Sequence, residues 1–361
     1  MPSADHTARP RLLLVSMYPL DQGLWGPTVR ITNLRRELGE RVGLDVVSGY
    51  RGARRAALVR YAFSGRLRGL AGIYVESSSF LPSEADILFL GLARALGIPV
   101  LTYVRDAYQL FPDLYPATTL RRRAGTLAFR PAIRALAAVS SRLAYPSRGL
   151  AHAVSGSDAD AVIVPPGSPS PVVVERHPDA RRLLFVGNGR DAVQGAPLLL
   201  AAVQLARDRG ASVELTTVSR PGEGPPPPHP PWLRVMSAEG DEIVALLPDV
   251  IATVIPRPRS AYNDLAVPVK LFDYLAFGRP LLVTDCTEQA AIVSAHHAGV
   301  VVGDSVTELA DGVMRIAASD PARIDSWSEN ATRAARANGW GRRADDILEA
   351  FDIHPPADAA A

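Results

Sequence analysis

Lysine is almost missing from this chain. Of its 39 basic side chains 38 are arginine, and Lys270 is the single exception among 361 residues. Cysteine is as scarce: Cys286 stands alone, which excludes an intrachain disulfide and makes a reducing compartment the natural setting. No apolar run reaches the roughly 20 residues that a membrane-spanning helix requires. The opening MPSADHTARPR lacks the apolar core of a signal peptide, so the expected location is the cytoplasm. Net charge is small as well. A formal +2, with 21% charged and 47% hydrophobic residues, fits a folded globular protein and excludes both a disordered chain and one that coats nucleic acid.

That small net charge hides an uneven distribution. Residues 1–170 carry 21 arginines against 12 acidic side chains, whereas residues 171–361 carry 18 Arg and Lys against 25 Asp and Glu. Two stretches concentrate the excess, RGARRAALVRYAFSGRLRGL at 51–70 and RRRAGTLAFRPAIRALAAVSSR at 121–142, each interleaving Arg with Ala, Leu and Phe. Such interleaving suits an anionic membrane surface, where each basic group contributes about 1 kcal/mol, and would place the protein at the inner face of the plasma membrane. It equally suits a solvated arginine face on ordinary helices.

What the chain has in quantity is alternation. RLLLVSMY (11–18), DVVSGY, GIYVESSS and IPVLTYVRD read as strands, separated by helical patterns at Thr28–Arg41 and ADILFLGLARALG. A helical span over 119–140 and the short strands RLAYPS and AVIVPPG follow. SPSPVVVERHPDA (168–180) reads as a linker, and a second alternation starts at RRLLFVGNG (181–189), running through APLLLAAVQLARDRG, VELTTVS, LRVMS, DEIVALL, VIATVIP and PLLVTD. Near-continuous hydrophobicity in the strands suits parallel sheets covered on both faces. The expected fold class is α/β, with two Rossmann-like doubly wound domains facing across a cleft. Residues 1–170 form the first, 171–340 the second, and 341–361 a terminal helix returning to the first lobe. In such domains ligands bind beyond the carboxyl ends of the strands.

The solitary lysine follows the strand VIATVIP. Pro268 suits a first helical position and Gly278 a stop, which predicts a helix over 268–277. At 100° per residue Leu271, Phe272, Leu275 and Ala276 share an apolar side, and Lys270, Asp273, Tyr274 and Phe277 the other. Val267 cannot cap the first amides, so an anion is their natural partner. A cation in the first turn opposes the helix dipole by about 0.3–1 kcal/mol, a conflict that a bound diphosphate removes. Asp273, one turn on, suits the two hydroxyls of a ribose. The plain alternative is a surface ion pair between Lys270 and Asp273, which contributes little.

PVKLFDYLAFGRPLLVTD resembles the donor-site segment of the family 4, GT-B glycosyltransferases, in which a P-x-K-x-x-E-Y-x-A-x-G-x-P pattern opens the nucleotide-sugar helix. LLLVSMYPLDQGLWGPTVRITNLRREL resembles the family's first strand, Gly-containing loop and helix; VLTYVRDAYQLFPD its acceptor segment; AYPSRGL a helix start; VPPG its interdomain approach; and LLFVGNGRDAVQGAPLLLAAV its donor loop. The resemblance implies a retaining, metal-independent transferase of polysaccharide biosynthesis with no cofactor. Its co-substrate would be a UDP- or GDP-linked sugar and its acceptor a glycan or lipid-linked glycan. It implies Lys270 and Arg190 as catalytic cations. Donor contacts would come from Gly187, Asn188, Asp273, Pro268, Asp264 and Ser237, and acceptor contacts from Gly23, Gly26, Arg105 and Asp106.

Three positions depart from the pattern. Leu265 stands where the family has an upstream acid, with Asp264 one place away; Gln194 replaces the donor-loop lysine; and Arg105 replaces a histidine. A catalytically silent scaffold in envelope polysaccharide assembly is therefore the competing expectation, and a sugar-nucleotide epimerase is the weaker third, since it would want an acid/base carboxylate pair. Other motifs carry less. Asp158-Ala-Asp160 reads as a polar turn, His296–His297 as a surface pair, Cys286 as a buried thiol and PGEGPPPPHPPW (221–232) as a stiff loop. GNGRDAVQG has Val193 at the third-glycine place of a dinucleotide fingerprint. No metal site and no nucleic-acid partner is expected.

Overall fold

The structure, a computed structural model, describes residues 9–20, 26–77 and 82–354. The chain divides into two compact units, one of Met1–Gly167 with Trp340–Ala361 and one of Ser168–Gly339.

In the first unit the order is β1 (Arg11–Ser16), α1 (Gly26–Arg41), β2 (Gly43–Ser48), α2 (Arg51–Phe63), β3 (Gly72–Glu76), α3 (Glu84–Ala95), β4 (Val100–Tyr103), α4 (Leu120–Ala138), β5 (Arg142–Tyr145), α5 (Arg148–Ser155) and β6 (Val162–Ile163). The strands form one sheet in the order β2-β1-β3-β4-β5-β6, and every pairing is parallel. Both faces are covered, which is why RLLLVS is apolar at successive positions instead of alternating. Side chains of α1 and of the terminal helix join Leu12, Leu14 and Tyr74 in one core. Those of α2, α3 and α4 join Leu13, Val15, Ile73 and Val75 in the other.

The second unit runs β7 (Arg182–Val186), α6 (Ala196–Asp208), β8 (Glu214–Val218), β9 (Leu233–Met236), α7 (Asp241–Val244), β10 (Val250–Ile255), α8 (Val269–Ala276), β11 (Leu281–Thr284), α9 (Thr287–Ala295), β12 (Gly299–Val302), α10 (Val306–Ala317) and α11 (Pro321–Ala337). Its sheet is again all-parallel, in the order β12-β11-β10-β7-β8-β9. The chain then passes to α12 (Trp340–Glu349), which packs against α1 in the first unit. In each sheet the strand order reverses at one point, between β1 and β3 and between β7 and β10. That is where the crossovers leave a crevice at the strands' carboxyl ends.

Two expectations need correction. The helix carrying Lys270 begins at Val269, with Pro268 as the residue before its first turn. Proline's fixed backbone suits either place, and here its extended ψ of 130° puts it outside. Tyr274 is buried instead of lying on the open side. The reason is that α8 is covered twice, by the sheet and by Ala331, Ala334 and Ala335 of α11.

Candidate functional site

The residues at the reversal point of the second sheet come from three segments. The first is the turn after β7. Gly187 there has φ +154°, and a Cβ on it would stand 2.5 Å from Gln194 Oε1 and 2.7 Å from Lys270 Nζ, so only glycine lets these two side chains lie against the backbone. The second segment is the start of α8. Lys270 Nζ donates to Gln194 Oε1 at 2.8 Å and lies 4.8 Å from the centre of the Phe185 ring. Tyr274, one turn along, fastens the helix to the strand: its Oη accepts the Val186 N–H at 2.7 Å. The third is the segment after β10, where Arg257 is 8% exposed and donates to Asn263 Oδ1 and to the Ala266 carbonyl. Asn263 in turn donates to the Val193 carbonyl at 3.2 Å, joining this segment to the turn after β7.

The electrostatics follow from that packing. Burial pushes the Lys270 ammonium down to about 7, with the positive charge of Arg257 acting the same way and Asp191 and Asp273 opposing. Among the described residues no carboxylate pairs with Lys270; its hydrogen-bond partner is the neutral amide of Gln194, which Asp191 Oδ2 orients at 3.2 Å. Burial also pushes Asp273 up, to about 6, against the pull of Lys270. Pro268, at the cap position, makes no side-chain hydrogen bond to the first amides of α8. A buried arginine, a half-buried lysine and a helix end that Pro268 does not cap therefore converge near one glycine turn, a combination that favours a multiply charged anion.

Beside this turn lies a cavity of about 290 Å³, lined among others by Arg190, Ser219, Arg220, Pro225, Met236 and Ser237. Its rim is held by the loops themselves. Ser219 Oγ donates to the Gly187 carbonyl and Ser237 Oγ to the Ser219 carbonyl, both at 2.7 Å. Asn188 Oδ1 accepts the Arg190 N–H at 2.9 Å, and Arg190 Nε donates to the Gly224 carbonyl at 2.8 Å.

The remaining expected residues divide as follows. Pro268, Lys270, Asp273 and Gly187 meet at the reversal point, and Arg190 and Ser237 share the neighbouring cavity. Asp264 is engaged elsewhere: it pairs with Arg259 at 3.2 Å and accepts the Thr287 N–H at 3.2 Å, serving the uncapped start of α9. Arg105 and Asp106 belong to the first unit, just beyond β4, with Arg105 Nε 3.9 Å from Asp106 Oδ2 and its guanidinium 5.9 Å from the Tyr18 ring centre. Gly26 opens α1, and Gly23 lies outside the described residues. Cys286 is fully buried, its thiol donating to the Arg257 carbonyl at 3.2 Å. Sequence reading missed Arg257 and the Asp191–Gln194–Lys270 chain. An arginine two residues beyond the apolar run VIATVI is the signal that would have found the first.

Residues 180–319 match the family model described as Glycosyl transferases group 1. Among solved structures the chain is similar to sucrose-phosphate synthase from Thermosynechococcus elongatus, at 14% identity and a TM-score of 0.63, over 95% of this chain and 98% of that one. It is also similar to the UDP-forming α,α-trehalose-phosphate synthase from Burkholderia xenovorans in complex with glucose-6-phosphate, at 12% identity and a TM-score of 0.59, over 95% and 100%. The corresponding enzyme from Burkholderia vietnamiensis gives 11%, 0.58, 96% and 99%. No curated protein sequence matches the chain. The fold is GT-B, two Rossmann-like units each built on a six-stranded parallel sheet.

Proposed function

We propose that the chain is a glycosyltransferase that moves a sugar from a nucleotide-sugar donor, bound by the second unit, to an acceptor hydroxyl. The observation that carries this reading is the Lys270 ammonium, held over Gly187 beside Arg257 at the carboxyl ends of β7 and β10 without a carboxylate partner among the described residues. A scaffold gains nothing from a desolvated cation left in this state, which costs stability. A donor diphosphate repays that cost by restoring Lys270's charge.

In this reading the bond from the sugar C1 to the diphosphate oxygen breaks as the bond to the acceptor oxygen forms, and the acceptor's hydroxyl proton passes to the leaving diphosphate oxygen. Negative charge grows on the leaving diphosphate, and Lys270, with Arg257 and the amides of the Gly187 turn, stabilises it, in the way that fixed donors lower a barrier. These cations do the neutralising work that a divalent ion would otherwise perform. Asp273 accepts the ribose hydroxyls, and the cavity lined by Arg190 and Ser237 takes the UDP or GDP base. Arg105 and Asp106 of the first unit contact the acceptor, a glycan or lipid-linked glycan. The new bond keeps the donor's anomeric configuration, as the resemblance of the Lys270 segment implies.

Thermal unfolding with a panel of UDP, GDP and their sugars tests the reading. A ligand at about 100 times its dissociation constant stabilises by about 2.7 kcal/mol, so at least one member raises the melting temperature of the wild type, and Lys270→Met diminishes the rise. No rise with any nucleotide would overturn it.

A further inference from the structure

We propose that the helical layer α2–α3–α4 of the first unit docks on an anionic lipid bilayer. All three helices cover the same face of the sheet, since Leu58, Phe89, Leu90 and Leu136 belong to one core. Arg54, within the first arginine-rich stretch, is not part of the docking face. It is 3% exposed and pairs through two nitrogens with Asp86, both at 2.7 Å.

The opposite, outward side of the layer is built from rows at helical spacing. On α2 the row is Arg51, Arg55, Val59 and Phe63; on α3 it is Leu88 and Leu92, continued by Leu96 just past the helix; on α4 it is Leu120, Arg123, Leu127, Arg130 and Arg134. The large apolar members stand in the open: Phe63 is 87% exposed, Leu120 84%, Leu127 81% and Leu88 73%. The three helices carry nine exposed arginines and one exposed acid, Glu84, which Arg51 and Arg55 share. Apolar rows set among guanidinium groups that far outnumber the acids match a bilayer interface, where leucine enters the acyl boundary and arginine meets the headgroup phosphates. Single-stranded nucleic acid would want aromatic platforms on which bases stack, and the large exposed apolar side chains of α3 and α4 are all leucine. No described helix is long and apolar enough to cross a membrane, so the contact is peripheral.

None of these residues lies in the nucleotide site, so this proposal and the transferase reading fail separately. The test is co-sedimentation of the full chain with phosphatidylcholine vesicles, with and without about 30% phosphatidylglycerol, at about 0.05 M and about 0.5 M salt. Retention on the anionic vesicles at least about tenfold above the neutral ones, and weakened by salt, is the expected result. Reversing two exposed charges (Arg123→Glu, Arg130→Glu) lowers partitioning by about 25-fold or more, at about fivefold per arginine. The pair Leu88→Asp, Leu92→Asp lowers it about tenfold or more. Both variants keep the wild-type circular dichroism and nucleotide-induced thermal shift. Equal retention on neutral vesicles, no retention on anionic ones, wild-type partitioning by either variant, or binding of a single-stranded oligonucleotide in place of vesicles overturns the proposal.

Discussion

The two units bury ionisable groups in opposite ways. In the first, each buried cation has its anion. Arg30, 3% exposed, donates to Glu76 at 2.9 Å and to the Val164 and Pro165 carbonyls, while Tyr74 Oη donates to the same carboxylate. Arg54 and Asp86 are matched fork to fork. Burial alone would pull the Arg30 charge down, but Tyr103, Glu76 and Tyr74 more than offset it and its pKa is raised. In the second unit Lys270 has a neutral partner and a cationic neighbour, and its pKa falls. A closed network holds a fold together; an open one awaits a counter-charge. On the proposed reading, the same doubly wound architecture uses the reversal point of one sheet for structure and that of the other for an anion.

Substitutions sharpen or break that contrast. Arg54→Met leaves Asp86 buried and unpaired, and urea unfolding should register a loss of about 3–5 kcal/mol. Lys270→Met removes a charge that burial disfavours, so unfolding should be unchanged or slightly later; a loss as large as that of Arg54→Met would break the comparison. The cost of Lys270→Met appears in catalysis instead, as a fall in kcat/KM of about 10²–10³-fold, or about 2.7–4 kcal/mol. Gly187→Ala pushes a methyl group into both Gln194 and Lys270. It should weaken nucleoside diphosphate binding about tenfold, or about 1.4 kcal/mol, by calorimetry. The smallest effect is expected of Asp273→Asn, a several-fold rise in donor KM reflecting about 1 kcal/mol of lost hydrogen bonding to a charged acceptor, with kcat nearly unchanged.

Much of this was legible in the sequence. Apolar runs such as RLLLVS and VIATVI announced parallel strands because both faces of each sheet are covered, and Lys270 drew notice by being alone. Tyr274 was misplaced because helical periodicity registers one buried face, and α8 has two. Arg54 looked like one more solvated arginine; its partner Asp86 lies 32 positions away and no local pattern links them. The engagement of Asp264 with Arg259 and the start of α9 likewise depends on where β11 delivers the chain. Pairings across a fold leave no trace in local spacing, and they decide which charges are spent and which are available.

Proton linkage tests the central claim most directly. Between about pH 7 and the ordinary lysine value of 10.5 the folded chain holds fewer protons at Lys270 than the unfolded one, so this group makes folding less favourable as pH falls through that window. A bound diphosphate reverses the shift, so the complex holds more protons than the free protein and affinity declines as pH rises above about 7. Calorimetric titration at about pH 8 with the nucleoside diphosphate that stabilises best, in buffers of different ionisation enthalpy, should show uptake of about one proton per ligand in the wild type and none in Lys270→Met. Binding without proton uptake, at an affinity that Lys270→Met leaves unchanged, would contradict the account.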